Sequence, residues 1–130
     1  MRTNKTGQYM LKDKKAQPYK MINYHENGGM PQRYYAAMTP SPIWCYTQQL
    51  SQSLTWEAKQ YGDSETRLFV FNNGIDIATY DAIEYKGKWY GVTRVDTTDD
   101  YNTDIYVYVS DMNTPNEDKI KPYGWTPEND

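Results

Sequence analysis

The chain is short of the residues from which small active sites and stapled folds are built. Among its 130 residues are one cysteine, one histidine and two phenylalanines. A lone Cys45 excludes an intrachain disulfide, and with it the disulfide-stapled secreted scaffold. Cys45 falls inside Ile43-Trp44-Cys45-Tyr46, where the expectation is a strand with a buried, inert thiol. A lone His25 lies in a stretch without hydrophobic period, so neither a Ser-His-Asp nor a Cys-His arrangement has an anchored base. One Cys and one His are too few for a zinc site. Asn27-Gly28-Gly29 lacks the lysine and the strand–helix context of a phosphate loop. No apolar run approaches the ~18 residues of a membrane helix. No cationic start is followed by an apolar stretch, so no signal peptide is expected. The expectation is a protein made and used inside a cell, with no membrane contact, no cofactor and no enzymatic activity.

Tyrosine is plentiful: 14 residues, within an aromatic share of 15%. The hydrophobic fraction is 38% and the mean hydropathy -0.98, both low for a chain with a large core. Tyrosine is a good strand residue. It also concentrates at protein contacts, where its ring is buried and its hydroxyl stays wet. Net charge is only -3 but unevenly spread. Residues 1–33 hold seven Lys/Arg against Asp13 and Glu26, and residues 96–130 hold nine Asp/Glu against Lys119 and Lys121. Head and tail are thus complementary in charge and suit head-to-tail pairing between subunits, although each end alone reads as a solvated terminus.

Residues 1–40 are polar, basic and without period, broken at Asn27-Gly28-Gly29 and Met30-Pro31. They read as an extended basic arm ordered by a partner, with a short helix near residues 31–37. Thr39-Pro40-Ser41-Pro42 marks the start of a folded domain over residues 41–112. Residues 43–47 form a short strand, residues 48–53 a loop, and residues 54–60 are ambiguous. Residues 67–72, RLFVFN, read as a strand covered on both faces. After the Asn72-Asn73-Gly74 turn come a short extended piece at Ile75 and Ile77 and a strand over residues 81–85. A two-residue connection at Lys86-Gly87 leads into the return strand, residues 88–96. Residues 103–110 alternate cleanly, with Ile105, Val107 and Val109 on one face and Tyr106 and Tyr108 on the other. Gly91, mid-strand, fits a bulge or sharp bend. Residues 113–130 read as a loose, acidic, Pro-containing tail. Short strands at roughly 10-residue spacing without an amphipathic helix imply an all-β fold. The expected form is a small antiparallel β-barrel of about six short strands, with an extended N-terminal arm and a loose C-terminal tail.

Two binding chemistries were weighed on these residues. Asp96, Asp99, Asp100 and Asp104 cluster round one loop, but the spacing and terminal Glu of a calcium loop are absent, so a solvated hairpin loop is expected. OB-type barrels bind single strands through aromatics in a basic groove. Here the aromatics are present, but only the arm is basic.

Residues 66–112 carry the pattern Asp81, Ile83, Tyr85, Gly87, Tyr90, Val92, Val95, a polar loop and the final alternating strand, residues 105–109. In this they resemble the head-closure, or head-completion, proteins of long-tailed bacteriophages. The hairpin gives the pattern physical sense: Gly87 supplies the positive φ of a two-residue turn, and Asp81, Tyr85 and Tyr90 surround it, the tyrosines as candidate cross-strand partners. The resemblance implies a structural, non-enzymatic component of the virion neck, made in the bacterial host cytoplasm. It implies a homo-oligomeric ring, dodecameric or hexameric, below the portal or adaptor protein, closing the exit channel over packaged DNA and docking the tail. A converging loop from each subunit would gate the channel, here Gln48, Gln49, Ser51, Gln52, Ser53, Tyr61 and Asp63. Subunit or partner contacts would fall on Lys12, Lys14, Lys15, Tyr19, Lys20, Tyr34, Tyr35, Asp99 and Asp100. Two alternatives stand beside this reading: a tail-completion protein of the same neck, and a ligand-binding β-barrel module for nucleic acid or cell-wall glycan.

Overall fold

A computed structural model describes residues 11–25, 29–50, 65–97 and 104–127. In chain order its strands are β1 (Lys14–Tyr24), β2 (Gln32–Ala37), β3 (Ile43–Gln49), β4 (Arg67–Asn72), β5 (Ala82–Tyr85), β6 (Lys88–Thr97), β7 (Asp104–Asp111) and β8 (Ile120–Lys121), with a single 3-10 turn, Glu117–Lys119, before the last. No α-helix occurs among the described residues. The sheet runs β3-β4-β7-β6-β5-β1-β2-β8, and an added β3–β1 pairing joins its ends. Six antiparallel strands thereby close into a barrel, while β2 and β8 lie outside the ring. The expected all-β antiparallel barrel is what the chain forms.

Strict alternation decides which residues fill it. From β4 and β7, Phe69, Phe71, Ile105, Val107 and Val109 point inward, joined by Cys45, Ile83, Tyr85, Tyr90 and Val92. The outward Leu68 and Val70 are nonetheless buried, packed with Leu50 and against Tyr46, Tyr106 and Tyr108. Covering β4 on both faces accounts for its unbroken apolar run. Ile75 and Ile77 belong to no strand; Ile77 instead enters the barrel core.

The structure differs from the sequence reading at both ends. The expected arm contributes β1, an integral barrel strand. Lys14, Lys15 and Ala16 pair with β3, Gln17, Pro18 and Tyr19 with β5, and Tyr19 onward with β2. Because β1 changes partner along its length, its burial has no period of two, and that removed the signal. Pro18 sits in the stretch where the strand changes partners; its carbonyl accepts Met38 N–H at 2.9 Å. The helix expected near residues 31–37 is strand β2, registered against β1 from Tyr24↔Gln32 to Tyr19↔Ala37. The tail is not loose. Through β8 it pairs in parallel with β2 at Tyr35↔Ile120 and Ala36↔Lys121. The domain therefore begins before residue 41 and continues past residue 112.

The β1–β2–β8 flap lies on the outer face of the β5–β6 hairpin. There Tyr35, Ala82 and Trp89 form a second small core, closed by Tyr19, Met21, Met112 and Ile120. Gly91 is not a bulge. It pairs with both Ala82 and Ser110, and the register shift falls beyond it, between Val92 and Arg94.

Candidate functional site: a cationic barrel mouth

The β5–β6 hairpin has the geometry its sequence requires. Lys86 (φ 51) and Gly87 (φ 77) both take positive φ, the pattern of a type I′ turn, whose twist matches the flanking strands. Tyr85 pairs with Lys88 and Ile83 with Tyr90, so the two tyrosines are diagonal neighbours rather than opposite partners. What they share is Phe69: its ring stands edge-on to Tyr85 at 5.6 Å and to Tyr90 at 5.7 Å. Asp81 secures the entry to the hairpin. Its buried carboxylate accepts the N–H of Ala78 at 2.8 Å, the N–H of Met21 at 2.9 Å and the Lys20 ammonium at 3.1 Å.

At this end of the barrel, three cations gather on the two tyrosine rings. Arg67, the first residue of β4, lies over both, 5.5 Å from Tyr85 and 5.9 Å from Tyr90. Lys86 stands 5.4 Å from Tyr85, and Lys88 stands 5.8 Å from Tyr90. Arg67 Nη1 donates to Thr47 Oγ1 at 3.0 Å, a neutral partner. Among the described residues, none of the three has a carboxylate within ion-pair distance. The connection between β3 and β4 leaves and returns beside Arg67, its base closed by Leu50 N–H to the Thr66 carbonyl at 3.0 Å and by Thr66 N–H to Val109 at 2.8 Å. Among the described residues, the mouth is therefore a cluster of positive charge without a paired carboxylate, set on an aromatic base. Such a cluster attracts phosphates irrespective of sequence. Among the described residues no group of three or more His, Cys, Asp or Glu could hold a metal.

Of the residues singled out from sequence, Gln48 and Gln49 are exposed at the end of β3, opposite Leu68 and Arg67. Ser51, Gln52, Ser53, Tyr61, Asp63, Asp99 and Asp100 lie outside the described residues. Lys12 and Lys20 are engaged within the chain, Lys12 with the buried Asp104 at 2.7 Å and Lys20 with Asp81 at 3.1 Å. Tyr35 is buried on the inner side of β2, and the Tyr19 ring lies tilted against Trp89 at 4.6 Å. Lys14 meets Asp13 at 3.4 Å. Lys15 lies 4.5 Å over the exposed Trp44. Tyr34 receives the C-terminal segment. Burial, with Asp13 adding to it, pushes the Cys45 thiol up to about 12, so it is no nucleophile.

Sequence reasoning missed the mouth because Arg67, Lys86 and Lys88 belong to a segment of nearly balanced charge; only barrel closure separates them from their acidic neighbours. Glu65, close by in sequence, is turned away to β6, where it accepts Thr93 Oγ1 at 2.7 Å and Arg94 Nε at 2.9 Å. A separate groove of 360 Å³, lined in part by Arg33, Thr79, Tyr80 and Met112, opens between the flap and β6. Tyr80 lies there at φ 78 with 66% of its surface exposed. No protein-family model matches the chain, and no curated protein matches its sequence.

Proposed function

We propose that this chain is a structural component of the head–tail neck of a long-tailed bacteriophage, a head-closure protein that forms a ring under the portal or adaptor. The observation that carries the reading is the placement of the residues 66–112 pattern. Its hairpin forms one end of a closed barrel, where Lys86 and Lys88 share the Tyr85 and Tyr90 rings with Arg67, the residue at which the 50–65 connection returns. A ring that places this end toward its axis sets the cations against the phosphates of packaged DNA and leaves the flap for protein contacts. The work is then binding and closure, without catalysis. The deciding experiment is mass spectrometry of purified tailed particles, with antibody labelling of the neck under the electron microscope. Stoichiometric presence at the neck is expected; absence from purified virions overturns the proposal. Heads isolated without tails separate the closely related alternative: a head-closure protein stays with the head, and a tail-completion protein leaves with the tail.

A second reading, a ligand-binding β-barrel module, is favoured by the groove beside Tyr80. Its test is titration of cell-wall glycan fragments and single-stranded oligonucleotides against the purified chain, with saturable binding by a monomer as the supporting result.

A further inference from the structure

The C-terminal segment is docked by few and specific contacts. Past Met112 the chain crosses the exposed Asn113, Thr114 and Asn116 to a two-residue parallel pairing with β2. Parallel pairs are somewhat weaker per residue than antiparallel ones. Beyond β8, Trp125 lies 5.3 Å from Tyr34, and Lys119 and Lys121 stand 4.9 and 5.7 Å over the same Tyr34 ring. No residue in 113–127 is fully buried. The fit also leaves a polar atom unmet: the Trp125 indole N–H is enclosed and has no hydrogen-bond partner among the described residues. An enclosed donor left unmade is destabilising. The receiving surface, by contrast, belongs to the rigid flap: Tyr34, Tyr35 and Ala36 sit on a strand paired along its whole length with β1. It needs a cover, because Ile120 closes the small core around Trp89.

We propose that residues 113–127 exchange between copies of this chain, each segment docking on β2 of a neighbour with the contacts it makes here on its own β2. The occupant of the surface is fixed by what already fits it, so the second copy needs no new recognition. Exchange keeps every contact and loses only the tether, whose effective concentration is of order mM for a short flexible connection. Dilute chains hold their own tails, whereas copies brought together exchange them. An exchanged tail is a heterologous contact, the kind that closes rings. The charge asymmetry takes on a different meaning here. Among the described residues, the tail engages the N-terminal half through its two lysines on aromatic rings and not through its carboxylates. The inference concerns how copies bind one another and does not depend on where the assembly resides, so its failure leaves the virion test untouched.

The test uses the Ala36↔Lys121 register in full-length chains. The A36C/K121C double variant should close an intramolecular disulfide at ~10 μM under mild oxidation; Cys45 is buried and does not compete. An equimolar mixture of the single variants A36C and K121C should form a mixed disulfide-linked dimer whose yield rises tenfold or more between ~10 μM and ~1 mM. Lys86→Cys, on the exposed hairpin turn rather than on β2, mixed with K121C is the control for random collision. A mixed-dimer yield no greater than this control at every concentration overturns the proposal, as does failure of the folded double variant to close its disulfide. If A36C does not fold, the other registered pair, Y35C with I120C, takes its place with the same expectations.

Discussion

The barrel and the β1–β2 pair of the flap are both antiparallel sheet, yet they are held by different physics. Inside the barrel, Phe69, Phe71, Val107 and Val109 have no exposed surface, and the interior is apolar apart from two tyrosine hydroxyls and one thiol. The flap rests on a small aromatic core of Tyr35, Ala82 and Trp89, and its joint with the barrel is ionic and hydrogen-bonded at Asp81. Non-directional burial stabilises the closed ring. Directional groups fix where the flap sits against it. The comparison teaches that closure specifies the fold, while the seam specifies a surface for partners.

The largest expected effect tests the barrel side. Phe69→Ala removes a ring in contact with Phe71, Tyr85 and Tyr90 and should cost about 3–5 kcal/mol. Urea denaturation followed by tyrosine fluorescence should show that loss, or a chain already unfolded. A loss under 1 kcal/mol would mean that the interior is not close-packed. The thiol offers an independent check of the same core. The folded Cys45 titrates at about 12, above the ordinary thiol range near 8.5. A group with a raised folded pKa contributes stability that is fully present below its unfolded pKa and is lost as pH rises through the folded value. The Cys45 contribution should therefore be intact at pH 8 and decline between about pH 9 and 12, in comparison with Cys45→Ala. Alkylation by iodoacetamide at pH 8 should accordingly proceed at the rate of global unfolding.

Next in size is the seam. Asp81→Ala strips the acceptor from two backbone N–H groups and the Lys20 ammonium. Breaking a buried ion pair on one side costs about 3–5 kcal/mol; Lys20 is partly exposed here, so about 2–3 kcal/mol is expected. Amide exchange should locate the loss. Protection should fall first in β2 and at Met21, with β4 and β7 still protected. Uniform loss across both regions would make barrel and flap one cooperative unit and remove the distinction.

Much of the barrel was legible in sequence, and little of the flap. Residues 67–72, 81–85, 88–96 and 103–110 read directly as strands because each keeps one partner set along its length. β1 did not, because it pairs with three strands in succession and carries a proline within the run. β2 buries the consecutive residues Tyr35 and Ala36 and so shows no period of two, and β8 is only two residues long; Trp89, against which Tyr35 and Ile120 pack, is distant from both in sequence. The Lys86-Gly87 turn could be read because positive φ has a residue signature. The cationic mouth could not, since Arg67 and the hairpin lysines meet only after the barrel closes.

The smallest expected effect lies where the two regions abut. Tyr80 is held at φ 78 while its N–H bonds the Val92 carbonyl at 3.0 Å. A left-handed conformation costs a non-glycine residue roughly 1–2 kcal/mol. Tyr80→Gly relieves that strain but adds unfolded-state freedom worth roughly 0.5–1 kcal/mol. With the ring largely in solvent, the net effect should be a stabilisation of about 0–1 kcal/mol, read as a small rise in the urea midpoint. Gly87→Ala is the mirror experiment: a Cβ at φ +77 meets nothing within 4 Å, so only backbone strain is added, and a loss of about 1 kcal/mol is expected. Opposite signs for the two variants would show that both positions respond to backbone conformation alone. A loss at Tyr80→Gly larger than 1 kcal/mol would instead show that its ring contributes to holding the flap against β6, and that the groove it lines is part of the seam rather than a free surface.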